Sequence, residues 1–386
     1  MNPDYSHPVE ISPDSLIDQQ LLAIATNFVS ASLIKSIQPF GSGNVNHTFL
    51  IELNAPWRNA HHATEHQQLI LQRINTHVFA DPSLIMQNLR IYSDHLHQKS
   101  SLHSQRRWET PQIITTHSGA DYLQIDADDH SGYQFWRSLS YILNSQSHNV
   151  LTSTDQAAEV GYALGRFHAL TRDLNPHLLA DTLIGFHITP LYWQQYQKAI
   201  AQFPPLNPTL EIRHCLNFID KHKPLISILE DAKQSGKLTT QTMHGDPKIN
   251  NILFDQTTQL AISLVDLDTV KPGLIHYDIG DCLRSACNLS GEETQDWEAV
   301  EFNDDLCQAV LRGYNAEMEP FLTDSDRQYI YDSIRVITFE LGLRFFTDYL
   351  LGNPYFQAQY PEHNLWRSLV QFQLLNSLES CRFTLF

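Results

Sequence analysis

Positive charge is scarce in this chain. Lysine and arginine together number 25 against 43 aspartates and glutamates, a formal net charge of −18 over 386 residues. Binding to nucleic acid rests mainly on neutralising phosphates with Lys and Arg, so this balance argues against a nucleic-acid partner. An anionic nucleotide would have to be met locally, by magnesium, by backbone N–H groups or by a few buried cations. Cysteine is sparse too. Cys215, Cys282, Cys287, Cys307 and Cys381 form no CxxC pair, and their odd number fits reduced thiols better than a disulfide framework. No apolar stretch is long enough to span a bilayer, and the polar start Met1-Asn2-Pro3-Asp4-Tyr5-Ser6-His7-Pro8 predicts no secretory signal. A cytoplasmic protein is expected, with neither a membrane nor a nucleic-acid partner. What is present is a hydrophobic content of 42%, enough for a sizeable core and against global disorder.

The most informative stretch is His244-Gly245-Asp246-Pro247-Lys248-Ile249-Asn250-Asn251. An aspartate followed five residues later by an asparagine is the spacing of a phosphoryl-transfer loop, in which the aspartate accepts the attacking hydroxyl's proton and the asparagine holds magnesium. The apolar run Ile252-Leu253-Phe254 then reads as a strand, Asp255–Gln259 as a hairpin loop, and Ala261–Val265 as a second strand ending in Asp266-Leu267-Asp268. Asp266 stands where the other metal ligand belongs. Asp268 is either a further ligand or a cap. Lys248 could steady the transferred phosphate or brace Asp246, and His244 reads as a backbone-orienting residue. The plain alternative is a turn capped by Asp246, but chance would have to supply base, ligand, hairpin and second ligand in order.

Upstream, a helix is expected over Ser15–Phe28 and a strand over Ile34–Pro39. A turn containing Gly41, Ser42, Gly43 and Asn44 leads into the strand Thr48–Leu53, a layout in which glycines let backbone N–H groups approach phosphate. Arg73, on the strand Leu69–Ile74, is the cation that could reach a nucleotide. Asp81 and Pro82 open a helix to about Lys99, and strands near 112–116, 122–125 and 133–140 complete a small antiparallel sheet. The polar segment 145–153 is the expected hinge, dividing the chain into 1–145 and 146–386. Beyond it the pattern is helical: from Thr154, with Thr154 or Asp155 as cap, then 192–201, 211–233, a helix at Asp278, 302–313, 325–351 and 364–378. His168 reads as a packed helix histidine, and Asp278 and Asp281 as helix caps that brace the catalytic loop. Strands early and helices late give an α+β bilobal, protein-kinase-like fold.

These residues resemble the aminoglycoside-phosphotransferase and choline-kinase superfamily, and within it the bacterial N-acetylhexosamine 1-kinases. The resemblance lies in Gly41–Leu50, Leu71–Phe79, His244–Phe254 and Val265–Gly273, and further on in Leu343–Leu350, Tyr355-Phe356 and His363-Asn364-Leu365. It implies transfer of the ATP γ-phosphate to the anomeric hydroxyl of GlcNAc or GalNAc, with Mg2+ as the metal. Asp246 then matches the base, Asn251 and Asp266 the metal ligands, and Arg344 and Tyr355 the sugar-binding positions. Taken alone, Arg344 would read as a surface salt bridge to Asp348 and Tyr355 as a core tyrosine. Two departures stand out: the strand cation is Arg73 rather than lysine, and Gln87 occupies the place of its expected glutamate partner. The partners implied are a small sugar and ATP, on a monomer or weak homodimer. Another small alcohol (aminoglycoside, choline, homoserine or a different sugar) is the first rival acceptor, and a nucleotide- or sugar-binding pseudokinase the second reading.

Overall fold

In a computed structural model of the chain, residues 19–41, 45–58, 64–99, 106–126 and 132–381 are described. They divide into two compact units whose chain segments alternate. One takes residues up to Pro82 together with Pro111–Tyr141, and the other takes Ser83–Thr110 and everything from Ile142 onward.

Alternating apolar residues build the first unit. A short helix α1 (Gln19–Ala25) precedes β1 (Ile34–Pro39), β2 (His47–Arg58), β3 (Glu65–Ile74), β4 (Ile113–Ile114), β5 (Leu123–Asp126) and β6 (Tyr133–Ser140). The antiparallel order is β1-β2-β3-β6-β4, with β5 paired to β6. Ile51 and Leu53 of β2 and Leu69 and Leu71 of β3 sit two apart and therefore share a face. Ile24, Ala25, Phe28 and Val29 cover that face, so the helix and the sheet make one core. The strand Thr48–Leu53 thus extends further in both directions than its apolar run indicates.

The second unit is mainly helical. It contains α2 (Ser83–Gln98), β7 (Ser145–Gln146), α3 (Thr154–Thr171), α4 (Thr189–Gln202), α5 (Leu210–His222), α6 (Ile228–Gln234), β8 (Gln241–Met243), β9 (Ile252–Asp255), β10 (Ala261–Leu264), β11 (Lys271–Gly273), α7 (Ile275–Ala286), α8 (Asp304–Met318), α9 (Asp324–Leu350) and α10 (His363–Ser380). β9 and β10 form the expected hairpin, with β7 on its free edge, and β8 pairs antiparallel with β11. Together they make the antiparallel-sheet and helical α+β kinase-like fold.

Three sequence-based boundaries need correcting. The cap of α3 is Ser153, whose Oγ accepts the Gln156 N–H at 3.2 Å, so neither Thr154 nor Asp155 caps it. The span 211–233 is two helices, because Pro224 removes a donor and a 3-10 turn intervenes at Lys223–Leu225. Asp278 and Asp281 lie inside α7, which starts at Ile275, and Leu274 occupies its cap position.

α3 and α8 pack through glycine. A Cβ on Gly161 would lie 1.8 Å from the Val310 carbonyl oxygen, and one on Gly313 would lie 1.8 Å from that of Ala158. This reciprocal contact lets the backbones touch, and it sets the register of α3 and hence the position of His168. Either Gly161→Ala or Gly313→Ala forces the helices apart and should destabilise the protein by about 3 kcal/mol, at the upper end of overpacking costs. Urea unfolding of both variants against the wild type measures this.

Candidate active site

β8 delivers the chain into His244–Asn251, whose backbone is tied down at several points. The His244 and Gly245 N–H groups donate to the two oxygens of Asp278 at 2.6 and 2.7 Å. Thr269 Oγ1 donates to the His244 carbonyl at 2.8 Å, and Asn251 Nδ2 to that of Asp246 at 2.7 Å. Gly245 has φ +92, and a Cβ there would meet Thr269 at 2.8 Å, so no side chain fits. His168 Nε2 donates to Asp278 at 2.8 Å, while its Nδ1 pairs with the Tyr314 hydroxyl. Asp278 therefore braces the loop through its backbone.

His244 is wholly buried. Its Nδ1 accepts the Asp246 N–H at 3.3 Å and its Nε2 donates to the Val265 carbonyl at 3.1 Å, which fixes one neutral tautomer. Burial pushes its pKa below the ordinary histidine value, in keeping with that assignment.

The Asp246 carboxylate points away from these braces. Its Oδ2 accepts Lys248 Nζ at 2.6 Å and, more weakly, Asn251 Nδ2 at 3.3 Å. Burial alone would depress the Lys248 pKa, but the carboxylates of Asp246 and Asp266 more than offset it and keep the ammonium charged. Because the Asn251 amide nitrogen is committed to Asp246, its Oδ1 points elsewhere. The Val265 N–H donates to the Asn251 carbonyl at 2.8 Å, tying that residue to the chain just before Asp266. Asp266 is exposed and left-handed, with φ 66 and ψ 58, an uncommon conformation for a non-glycine residue and one that clusters at functional sites. Asn251 and Asp266 supply oxygen donors only. That set suits a hard divalent cation completed by water and phosphate oxygens, and does not suit a soft metal. Among the described residues no cluster of three His, Cys, Asp or Glu forms an all-protein metal cage. Asp268 is buried, and its carbonyl accepts Thr182 Oγ1 at 2.8 Å.

Arg344 lies on α9 and does not pair with Asp348. Its guanidinium carbon sits 4.7 Å from the centre of the Tyr192 ring, 5.2 Å from Phe186, 5.3 Å from Phe356 and 5.9 Å from Tyr355. Among the described residues this cation has aromatic faces around it and no hydrogen-bonded carboxylate. Asp348 is otherwise engaged: its oxygens accept the N–H groups of Tyr355 and Phe356, each at 2.9 Å, and so set the loop that brings both rings to Arg344. Burial raises the Asp348 pKa, against the pull of those N–H groups. Tyr355 is 54% exposed and is not a core tyrosine. Asp281 gives one oxygen to the Nε and Nη2 of Arg284, at 3.0 and 2.8 Å, while its buried Oδ2 has no partner among the described residues.

In the first unit, Gly41 has φ +77 and the Phe40 N–H donates to the Thr48 carbonyl at 2.9 Å. Ser42, Gly43 and Asn44 lie outside the described residues. Arg73 is half-buried opposite His47 on β2 and Trp136 on β6, with its guanidinium 6.0 Å from the Trp136 ring. Gln87 on α2 is exposed, and the next residue, Asn88, is wholly buried.

The chain belongs to the phosphotransferase enzyme family (APH), whose model matches residues 36–321. It is similar in fold to a microcompartment-associated aminopropanol kinase, at 14% identity and TM-score 0.63 over 94% of this chain and 97% of that one. An aminoglycoside phosphotransferase from Alicyclobacillus acidocaldarius matches at 16% identity and TM-score 0.58 over 95% and 96%. An amicoumacin kinase solved with AMP-PNP and Ca2+ matches at 14% and 0.56 over 95% and 94%.

Sequence reasoning did not single out His187, Glu340, Tyr192 or Phe186. No local spacing marks them, although Glu340 sits four residues before Arg344 and so shares its helix face. Asp278→Asn replaces an acceptor by a donor facing a buried N–H. It should cost about 2–3 kcal/mol of stability, the scale of leaving a buried group unsatisfied, and lower kcat as well, as read by urea unfolding and initial rates.

Proposed function

We propose that this phosphotransferase is an ATP-dependent kinase that phosphorylates the anomeric hydroxyl of an N-acetylhexosamine, GlcNAc or GalNAc. Asp246 takes the proton of the attacking hydroxyl at its carboxylate. Lys248 holds that carboxylate in place and stands ready to meet the negative charge of the transferred group. Arg73 and the residues Gly41, Ser42, Gly43 and Asn44 are assigned to the nucleotide phosphates, as the family resemblance implies. Asn251 and Asp266 hold the divalent ion, Mg2+ in this reading, which when bound neutralises phosphate charge. Transfer is direct and in line, with most of the acceleration coming from positioning and charge.

The observation that carries the acceptor assignment is Arg344. A guanidinium without a carboxylate partner, ringed by aromatic faces, suits a neutral acceptor that offers oxygens to its N–H fork and carbon faces to the rings. Its positive charge disfavours a cationic acceptor such as choline or an aminoglycoside. Asp281 Oδ2 supplies what Arg344 lacks, a buried acceptor for a hydroxyl or amide proton. Burial opposes the Arg344 charge, but Tyr192, Tyr355, Glu340 and Asp281 together raise its pKa.

The test is phosphate transfer from Mg-ATP to GlcNAc, GalNAc, glucose, choline and kanamycin, with the product position read by phosphorus NMR. An anomeric phosphate on the N-acetylated sugars is the expected result. Transfer to choline or kanamycin instead would overturn the acceptor assignment and leave the phosphotransferase intact. Two variants sharpen it. Asp246→Asn should cut kcat by ~10²–10⁴, the usual contribution of a positioned base, while nucleotide affinity measured by calorimetry stays unchanged. Arg344→Lys should raise the acceptor KM by on the order of tenfold and leave the ATP KM alone, since a point charge cannot reproduce a planar fork.

A further inference from the structure

The geometry points to a second role for α9. We infer that the buried His187–Glu340 pair is a positioning device that fixes the catalytic loop to the helix carrying Arg344. His187 Nδ1 lies 3.0 Å from Glu340 Oε1, and His187 Nε2 lies 2.8 Å from the Gly245 carbonyl oxygen. A carbonyl can only accept, and the Glu340 carboxylate also accepts the Thr189 hydroxyl at 2.7 Å. With Glu340 ionised, both ring nitrogens carry hydrogen and His187 is an imidazolium. The two residues are 4% and 1% exposed, so neither charge is met by bulk water.

The fold makes sacrifices to hold this ring. His187 has φ +63, a left-handed conformation that costs a histidine energy and persists only where its surroundings enforce it. The preceding segment is clamped at each step. The Asn88 side chain donates to the Ala180 and Val270 carbonyls at 2.8 and 2.9 Å and accepts the Ala180 N–H at 2.8 Å. Buried Lys271 donates to Asp181 at 2.6 Å and to the Leu183 carbonyl at 2.8 Å. At the far end, Gly245 is the residue before Asp246, and Glu340 stands one turn before Arg344. The base and the acceptor-reading arginine are thereby joined through two side chains.

The titratable groups that face His187 are Glu340 from α9 and Asp281 and Tyr277 from α7, the Tyr277 ring stacking at 5.7 Å. Arg344 and Lys271 in turn feel the charge of Glu340. Burial opposes protonation of His187, but Glu340 and then Asp281 outweigh it and raise the pKa above the ordinary histidine value. The role does not depend on which alcohol is phosphorylated.

Glu340→Gln tests it. Without the carboxylate the buried imidazole loses its second proton. Its remaining N–H stays on the Gly245 carbonyl and the introduced amide must donate to Nδ1, so the charged link to α9 becomes a weaker neutral one. With the acceptor found above, kcat at about pH 8.5 should fall on the order of tenfold, with both KM values little changed. The ratio of variant to wild-type kcat should climb as pH falls to about 5.5 and the ring is protonated again. His187→Gln should show a comparable loss with no such recovery. A ratio that stays flat with pH, or an unchanged kcat, overturns the inference. Should Glu340→Gln not fold, nitrogen-15 NMR of histidine-labelled wild type decides it: both His187 ring nitrogens protonated at about pH 8 supports the pair, and a neutral ring overturns it.

Discussion

Asp278 is a carboxylate with no exposure at all, and a buried charge of that kind survives only where donors surround it. Its donors are the N–H groups of His244 and Gly245 and the ring of His168, so one charge dictates the position of three elements. The end of β8 must arrive with its N–H groups pointing into α7. α3 must present His168 at that depth, which the glycine contact with α8 permits. Gly245 must stay bare, because Thr269 occupies the space a side chain would need. Asp246 is then left facing outward from a backbone that cannot shift without stranding a buried charge.

The same economy of charge runs through the second unit. The chain is strongly acidic, yet its buried cations are assigned one by one. Lys271 faces Asp181, Arg284 is shared between Asp281 and Glu292, and Arg367 faces Glu293, while the partly exposed Lys248 faces Asp246. Arg344 departs from this pattern by having rings where the others have carboxylates. The two carboxylates nearest to it in function, Glu340 and Asp348, are each spent on holding a loop in place.

Much of this was legible in the sequence because its chemistry is local. The loop His244–Asn251, the hairpin after it and Asp266 at its end lie within about two dozen residues, and spacing alone orders them. Most of the sheet strands also followed from their apolar runs. What sequence reasoning misjudged was competition. Arg344 and Asp348 have ideal helical spacing for an ion pair, but two backbone N–H groups of a distant loop claim the carboxylate first. Ser153 takes the cap that Thr154 and Asp155 could equally have supplied, because the chain enters one residue earlier. His187 and Glu340 were invisible for another reason. They are separated by 153 positions, and nothing in either neighbourhood announces the other.

The alternation of chain segments between the two units has a practical consequence. The chain leaves the sheet unit after Pro82, builds α2 into the helical unit and returns at Pro111. Neither unit can therefore be expressed as a contiguous fragment. A truncation that began at residue 146 would retain Asp246, Asp278 and Arg344, yet it would discard Asn88 and leave the Ala180 and Val270 carbonyls without their donor. The helical unit in isolation would need α2 restored by circular permutation or by adding it as a separate peptide.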